Sequence, residues 1–408
     1  MKKIMILGAS ILQLPALLKA KRMGLQVIAV DMDKNAVGFK DADVCLVIST
    51  IDIPKVVEAA KQYNIDGIMT LASDMPMRTI AAVAKELNLI GIDEDTALKA
   101  TNKALMRECL KENKVPIPAF FRMNSRNEYL NFVKQFKDKF IVKPADNSGS
   151  RGVFLINDIY DQGSIEYAFE YSKKYSRSGE IVVEEYMNGP EVSVEALSIN
   201  GDVHVIAITD KLTTGAPRFV EIGHSQPSCL PEDIKEKIKS IATMAVKALG
   251  IKEGPSHTEI IVTEDGPKIV EIGARLGGDN ITSHLVPLST GIDMVKCSIE
   301  IALGQKPDIK RKIRRGSAIR YFETQTGKII DISGIEKAEQ GDGVKQISFV
   351  RNVGDFVNEI HSSTDRVGFV ITQADNVKEA IRISQTTIEK IKIEVISCEN
   401  LNYYTNNI

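Results

Sequence analysis

Residues 1 to about 95 alternate short apolar runs with amphipathic stretches, and this alternation constrains the fold more than any other feature of the chain. The runs 4–7, 27–30, 44–48 and 67–70 read as strands, while 14–22, 53–63 and 77–87 carry apolar residues at helical spacing. Strands joined through helices must run parallel, so the expectation is a doubly wound, Rossmann-like lobe with helices on both faces. Gly8 ends the first strand, but Gly8-Ala9-Ser10-Ile11-Leu12-Gln13 has one glycine where a dinucleotide fingerprint has three. Asp31 stands where a ribose-binding acid would, yet without those glycines the lobe reads as a scaffold and not as a nicotinamide site.

At 408 residues the chain has room for roughly two to four domains and a core that needs no disulfide or structural metal. With 52 basic and 54 acidic residues, the net charge of −2 gives no global attraction to nucleic acid or anionic membrane. The five cysteines (Cys45, Cys109, Cys229, Cys297, Cys398) are scattered without a CxxC pair, which points to reduced thiols, a cytoplasmic protein and no zinc site. Lys2-Lys3 and the apolar stretch to Leu18 mimic a signal peptide, but Gly8 and Pro15 interrupt it and Lys19, Lys21 and Arg22 follow. No run of 18 apolar residues suggests a membrane span.

Beyond residue 95 the pattern is helical to 113 and is broken by Val115-Pro116-Ile117-Pro118. Strands are expected at 140–143, 153–156, 181–185 and 191–198, and a long helix at 231–249. From 315 onward, short strands and one helix (376–391) suggest a smaller α+β lobe.

Three segments carry chemistry. Asn147-Ser148-Gly149-Ser150-Arg151-Gly152 links two strands, with Lys143-Pro144 at its base. Small residues let backbone N–H groups approach phosphate oxygens, so this is a phosphate flap or else a plain glycine-serine hairpin turn. Glu259 and Glu271 flank the turn Glu264-Asp265-Gly266-Pro267. Centring the turn on Asp265 pairs Ile260 with Val270 and sets Glu259 opposite Glu271, about 4.5–5.5 Å apart at Cβ. Two carboxylates that close invite a cation, and all-oxygen ligation suits Mg²⁺; a slipped register would instead leave one glutamate exposed. Arg275, in Gly273-Ala274-Arg275-Leu276-Gly277-Gly278-Asp279, is a candidate clamp for carboxylate or phosphate.

The order of these segments resembles the ATP-grasp superfamily, specifically its carboxylate–amine ligases. The resemblance rests on Thr101-Asn102-Lys103, Phe140-Ile141-Val142-Lys143-Pro144, the flap, Val183-Glu184-Glu185-Tyr186-Met187, Gly189-Pro190-Glu191-Val192-Ser193-Val194-Glu195, Thr258-Glu259-Ile260 and Val270-Glu271-Ile272. Many members carry asparagine two residues after the second acid. Gly273 stands there instead, which is similar to bacterial L-amino-acid ligases that make dipeptides, as is Glu221-Ile222-Gly223-His224.

The resemblance implies an α/β chain with a Rossmann-like lobe (1–95), an ATP-grasp body (96–310, flap subdomain about 115–187) and a C-terminal α+β lobe (311–408). It implies an ADP-forming ligase that works through an acyl phosphate, uses ATP and Mg²⁺ (or Mn²⁺), acts on a small carboxylate and a small amine, and forms a homodimer. Lys103, Lys143 and flap residues Ser148, Gly149, Ser150 and Gly152 would contact phosphates. Glu184, Glu185 and Met187 would receive adenine, Glu191 the ribose, and Glu259 and Glu271 the metal. Glu221 and His224, which read as part of a polar loop after Thr213-Thr214-Gly215 at a pocket rim, would line the substrate pocket with Arg275 and Gly278, and Arg275, Lys143 and His224 would serve catalysis. A biotin-carboxylase-like or purine-pathway carboxylating enzyme is the alternative within the superfamily. A non-catalytic nucleotide-binding protein is the alternative outside catalysis.

Overall fold

The computed structural model describes residues 1–216 and 218–397; Cys398 lies outside them. The chain divides into two compact units, one of 1–208, 230–287 and 292–311, the other of 209–229, 288–291 and 312 onward.

The first unit opens with strands β1 (Lys3–Leu7), β2 (Gln26–Asp31), β3 (Val44–Val47) and β4 (Gly67–Met69) in the order β3-β2-β1-β4, with β1–β2, β2–β3 and β1–β4 parallel. Helices α1 (Leu14–Arg22) and α2 (Ile53–Tyr63) supply the β1–β2 and β3–β4 crossovers, and α3 (Met77–Leu87) follows β4. Asp31 is spent locally: its carboxylate accepts from the backbone N–H of Ala9 (2.7 Å) and Asp33 (2.9 Å), which leaves it as a turn-former.

The stretch expected as one helix over 95–113 is two: α4 (Glu94–Ala100) and α5 (Lys103–Glu112). Asn102 divides them. Its backbone is extended and its side chain accepts from Leu105 N, a helix N-cap that restarts the chain with Lys103 at the first helical position.

A four-stranded sheet follows, β5 (Phe120–Met123), β6 (Phe140–Pro144), β7 (Phe154–Ile156) and β8 (Ile181–Glu185), ordered β5-β8-β6-β7. Phe140, Val142, Ile156, Ile181 and Val183 pack on Tyr129 of α6 (Arg126–Phe132) and on Ile165 and Phe169 of α7 (Gln162–Tyr175). The register leaves Lys143 and Glu184 on the opposite face.

β9 (Glu191–Ile199) and β10 (Asp202–Thr213) come next, and β11 (Glu221–Gln226) belongs to the second unit. β12 (Gly254–Thr263) and β13 (Gly266–Gly273) complete the first unit's larger sheet, β13-β12-β9-β10. Val192, Val194, Ile260, Ile269 and Ile272 bury against Ile238, Ala242 and Val246 of α8 (Glu232–Leu249). The alternate residues, Glu195, His257, Glu259 and Glu271, share the other face.

In the second unit β10, from residue 209 on, pairs with β11, followed by β14 (Gly316–Tyr321), β18 (Gly368–Ala374) and β16 (Val344–Phe349). A second sheet has the order β17 (Phe356–Val357), β15 (Gly327–Ser333), β19 (Lys392–Ile396). Two helices accompany them, Val377–Glu389 and a five-residue helix, Ile335–Glu339, too short to leave a periodic signal in the sequence. No helix among the described residues is long and apolar enough to cross a membrane.

Candidate functional site

Lys143 and Glu184 meet because of sheet register. Glu184 lies opposite Ile141, and Lys143 is two residues along the same face, so the two make a diagonal cross-strand pair at 2.6 Å. Arg107, one turn after Lys103 on α5, closes on the same carboxylate from Nε (2.7 Å) and Nη2 (3.1 Å). All three side chains are buried. Burial pushes the Glu184 carboxyl up, but the charges of Arg107 and Lys143 outweigh it and hold it at about 2. Burial also lowers the Lys143 ammonium, against the opposing pull of Glu184.

Glu259 and Glu271 are directly opposed, as the turn arithmetic gave, but by a different count. Thr263 pairs with Gly266 and Ile260 with Ile269, so the turn is the two-residue Glu264-Asp265 and Ile260 does not face Val270. A one-residue β-bulge between Glu259 and Ile260 then restores the register. Lys103 Nζ donates to Glu271 Oε1 (2.9 Å) and to the Asn147 carbonyl at the base of the flap (2.7 Å). Thus α5 delivers Lys103 and Arg107, two of its three cations, to this face of the unit.

His257 lies beside the acid pair. Its Nδ1–H donates to Glu195 Oε1 (2.5 Å), directly across on β9, and Nε2 lies 3.4 Å from Glu259 Oε1. Burial lowers the imidazole pKa, but the Glu195 carboxylate outweighs it and raises it to about 9. Arg275 donates from Nε (2.8 Å) and Nη2 (3.1 Å) to Asp74. Burial opposes its charge, and Asp74 more than compensates. Gly273 makes room for this pair, since a Cβ there would stand 2.6 Å from Asp74 Oδ1. Gly277 does the same for the His257–Glu195 pair, where a Cβ would stand 2.7 Å from His257 Nδ1. Gly278 packs against Ala72.

The flap is a β6–β7 hairpin whose tip, Gly149 to Arg151, is exposed. Gly149, Ser150 and Gly152 have φ of 66°, 56° and 81°. Both ends are tied to α7: Asn147 Nδ2 donates to Tyr175 O (2.8 Å) and Ser172 Oγ to Gly152 O (2.7 Å). At the hinge, the Glu185 N–H is taken by Ala119 O (2.9 Å), its carboxylate accepts from Ala119 N (3.1 Å), and Met187 is buried. Ser148 N–H turns back to Asn147 Oδ1, and Glu191 opens β9 opposite Ile261.

Glu221 and His224 belong to the second unit. They were expected in a loop at a pocket rim; they lie on β11, between β10 and β14, and His224 is buried. Lys211 Nζ stands 3.6 Å from Glu221 Oε1, and the His224 carbonyl accepts from Arg320 Nη1 (2.9 Å). Alternation along a central strand, which a sequence window with two glycines nearby conceals, accounts for the difference.

Sequence reasoning gave no role to Arg107, Asp74, His257 or Glu195. Three of them had a signal. Arg107 is a charge on the apolar side of α5, four residues from Lys103; His257 shares a strand face with Glu259 by the two-residue period; Glu195 stands opposite His257. Asp74 comes from a loop after β4 and has no local mark.

Among the described residues no group of three or more His, Cys, Asp or Glu has a geometry that could hold a metal by itself. An opposed carboxylate pair is nevertheless what Mg²⁺ requires when substrate phosphates and water complete its shell, so the donor set fits that ion.

Residues 136–283 match the ATP-grasp domain family, and residues 320–395 match the L-amino acid ligase C-terminal domain 2. The chain is 24% identical over 420 residues to phosphoribosylamine–glycine ligase of Methanococcus maripaludis, covering 94% of this chain and 89% of that one. It is 24% identical over 309 residues to the L-arginine-specific L-amino acid ligase of Bacillus subtilis, covering 72% of each. The crystal structure of L-amino acid ligase from Bacillus licheniformis superposes with a TM-score of 0.84 at 25% identity, covering 97% of this chain and 99% of that one. With the paired acids, lysines and flap in one unit, the chain carries an ATP-grasp domain followed by an L-amino acid ligase C-terminal domain, and it is similar along its length to carboxylate–amine ligases.

Proposed function

We propose that this protein joins the carboxylate of one amino acid, or a close analogue, to the amine of another, at the expense of ATP and with release of ADP and phosphate. The observation that carries the reading is the directly opposed Glu259–Glu271 pair with Lys103 bonded to one member. The match of residues 320–395 supports amino acids as substrates. Residues 1–95, 96–310 and 311–408 are assigned as the Rossmann-like, ATP-grasp and C-terminal domains.

In this reading the substrate carboxylate attacks the γ-phosphorus, and ADP leaves. The amine then attacks the acyl phosphate, and phosphate leaves as the amide forms. Glu259 and Glu271 would hold Mg²⁺, which when bound supplies neutralising charge at the phosphates. Lys143, fixed by Glu184, and Lys103, fixed at a helix start, add their charge without needing to reorganise. The amides and hydroxyls of Ser148, Gly149, Ser150 and Gly152 cover the phosphates. The hinge Glu184 to Met187 flanks adenine, and Glu191 holds the ribose. Arg275, clamped by Asp74 through Nε and Nη2, retains N–H groups for the acyl oxygen or the departing phosphate. The family resemblance assigns Glu221 and His224 to the amino-acid substrate, and Gly278, with no side chain, would let a substrate approach its backbone.

Four free cysteines among the described residues fit a cytoplasmic setting, and the family resemblance supports a homodimer, which light scattering would test. The experiment for the activity is ADP release with pooled amino acids, then single ones, and with bicarbonate alone. Stimulation by amino acids is expected. ADP release that depends on bicarbonate would favour a carboxylating enzyme, and none in any arm would leave a nucleotide-binding protein.

A further inference from the structure

Arg107 is the most deeply buried cation that the proposed chemistry leaves without a task; it is 1% exposed. Besides the two bonds to Glu184, its Nη2 donates to the backbone carbonyl of Val270 at 2.7 Å. Val270 is the extra residue of the β12–β13 hairpin. On the turn side Ile260 pairs with Ile269, and on the far side Glu259 pairs with Glu271, so Val270 faces no partner. A bulge of this kind takes a residue out of the ladder and leaves its carbonyl to be satisfied elsewhere.

The consequence for the acids is large. If the turn-side register simply continued, Glu259 would face Val270 and Glu271 would face Thr258. Thr258 is buried on the face that packs against α8. A slip of one residue exchanges the faces of a strand, so Glu271 would leave the face it shares with Glu259 and lose Lys103. Only the bulge gives two opposed carboxylates on one face.

We propose that Arg107 is a positioning residue that sets the register of the Glu259–Glu271 pair by holding the bulge carbonyl of Val270 while it is anchored on Glu184. The same side chain thereby ties the acid pair to Lys143, which Glu184 also holds. The proposal rests on the assignment of Glu259 and Glu271 as metal ligands. Arginine suits the task because one planar fork reaches a carboxylate and a carbonyl together, whereas a lysine ammonium is a single point.

The test uses the full chain with Mn²⁺ and a non-hydrolysable ATP analogue, with metal affinity read by electron paramagnetic resonance and metal-free analogue affinity by calorimetry. Arg107→Lys keeps the charge beside Glu184 and carries the test should Arg107→Met fail to fold. It is expected to weaken Mn²⁺ binding at least tenfold while changing metal-free analogue affinity less than threefold. Deleting Val270 makes Ile269 and Glu271 consecutive, so the acids oppose each other without a bulge. In the Arg107→Lys background this deletion should return Mn²⁺ affinity to within threefold of wild type. A merely structural arginine would not be rescued by removing a residue from another strand. Wild-type Mn²⁺ affinity in Arg107→Lys, or weakened affinity without rescue, overturns the proposal. Absence of Mn²⁺ binding in the wild type overturns the metal-site assignment beneath it.

Discussion

Gly273→Ala tests whether the glycine two residues after Glu271 is there to seat the Arg275–Asp74 pair. A Cβ at 273 stands 2.6 Å from Asp74 Oδ1 and 3.1 Å from Arg275 Nε, well inside the roughly 3.5 Å at which non-bonded heavy atoms rest. The Asp74 carboxylate must move, and the bonds of 2.8 and 3.1 Å to Arg275 go with it. Removing one partner of a buried pair costs about 3–5 kcal/mol; displacement keeps part of the attraction, so a loss of about 2–3 kcal/mol is expected. Against this, alanine restricts the unfolded chain and returns about 0.4–1 kcal/mol, since Gly273 lies outside the left-handed region and can accept a side chain. The net loss of about 1–2.6 kcal/mol corresponds to a melting midpoint lower by about 2–8 °C for a unit of this size. The assay is thermal unfolding of wild type, Gly273→Ala, Asp74→Ala and the double variant. With Asp74 absent the new methyl group meets no carboxylate, so Gly273→Ala should then be neutral or slightly stabilising, a clear departure from additivity. Equal cost in both backgrounds would refute the reasoning.

Lys143→Ala should weaken ATP binding at least about tenfold, a loss of about 1.4 kcal/mol, with a smaller effect from Arg151→Ala, whose side chain lies in the exposed flap and bonds only to Ser148 O; equal calorimetric affinity for wild type and Lys143→Ala would take the lysine out of the site. Glu259→Gln and Glu271→Gln should each slow turnover on the order of a hundredfold, corresponding to about 3 kcal/mol, and normal turnover at ordinary Mg²⁺ in either variant would remove that residue from the metal. Because the folded-state Glu184 carboxyl lies at about 2 and its ordinary value is 4.5, its ionised form contributes about 3 kcal/mol above pH 4.5, lost as pH falls through 2. The stability gap between wild type and Glu184→Gln should therefore narrow between pH 4.5 and 2, and a gap that stays constant from pH 7 to pH 3 would contradict this origin.

Much of the site was legible because its residues sit on elements with strong local signals. Strand periodicity puts Lys143 at the end of β6 and Glu259 on β12, and an asparagine cap fixes Lys103 at the start of α5, although the continuous helical pattern hid the break at Thr101-Asn102. The opposition of Glu259 and Glu271 emerged from counting the turn one residue too long, an error that the bulge at Val270 cancels. That bulge could not be read locally, since the group that satisfies it lies 163 residues earlier in the chain. Asp74 is likewise 201 residues from Arg275, so the reason for Gly273 is a tertiary contact, whereas the sequence shows only a missing asparagine. His224 was misplaced for the opposite reason: the local turn residues before β11 suggested a loop, and pairing with two neighbouring strands overrode them.

In the proposed reaction a substrate carboxylate is phosphorylated by ATP before an amine displaces the phosphate. The most direct measurement supplies the stimulating amino acid with ¹⁸O in its carboxylate and follows the label by mass spectrometry. Transfer of one ¹⁸O from the carboxylate to inorganic phosphate, with ADP as the only nucleotide product, is the expected result. Phosphate free of label, or release of AMP and pyrophosphate, would contradict the account.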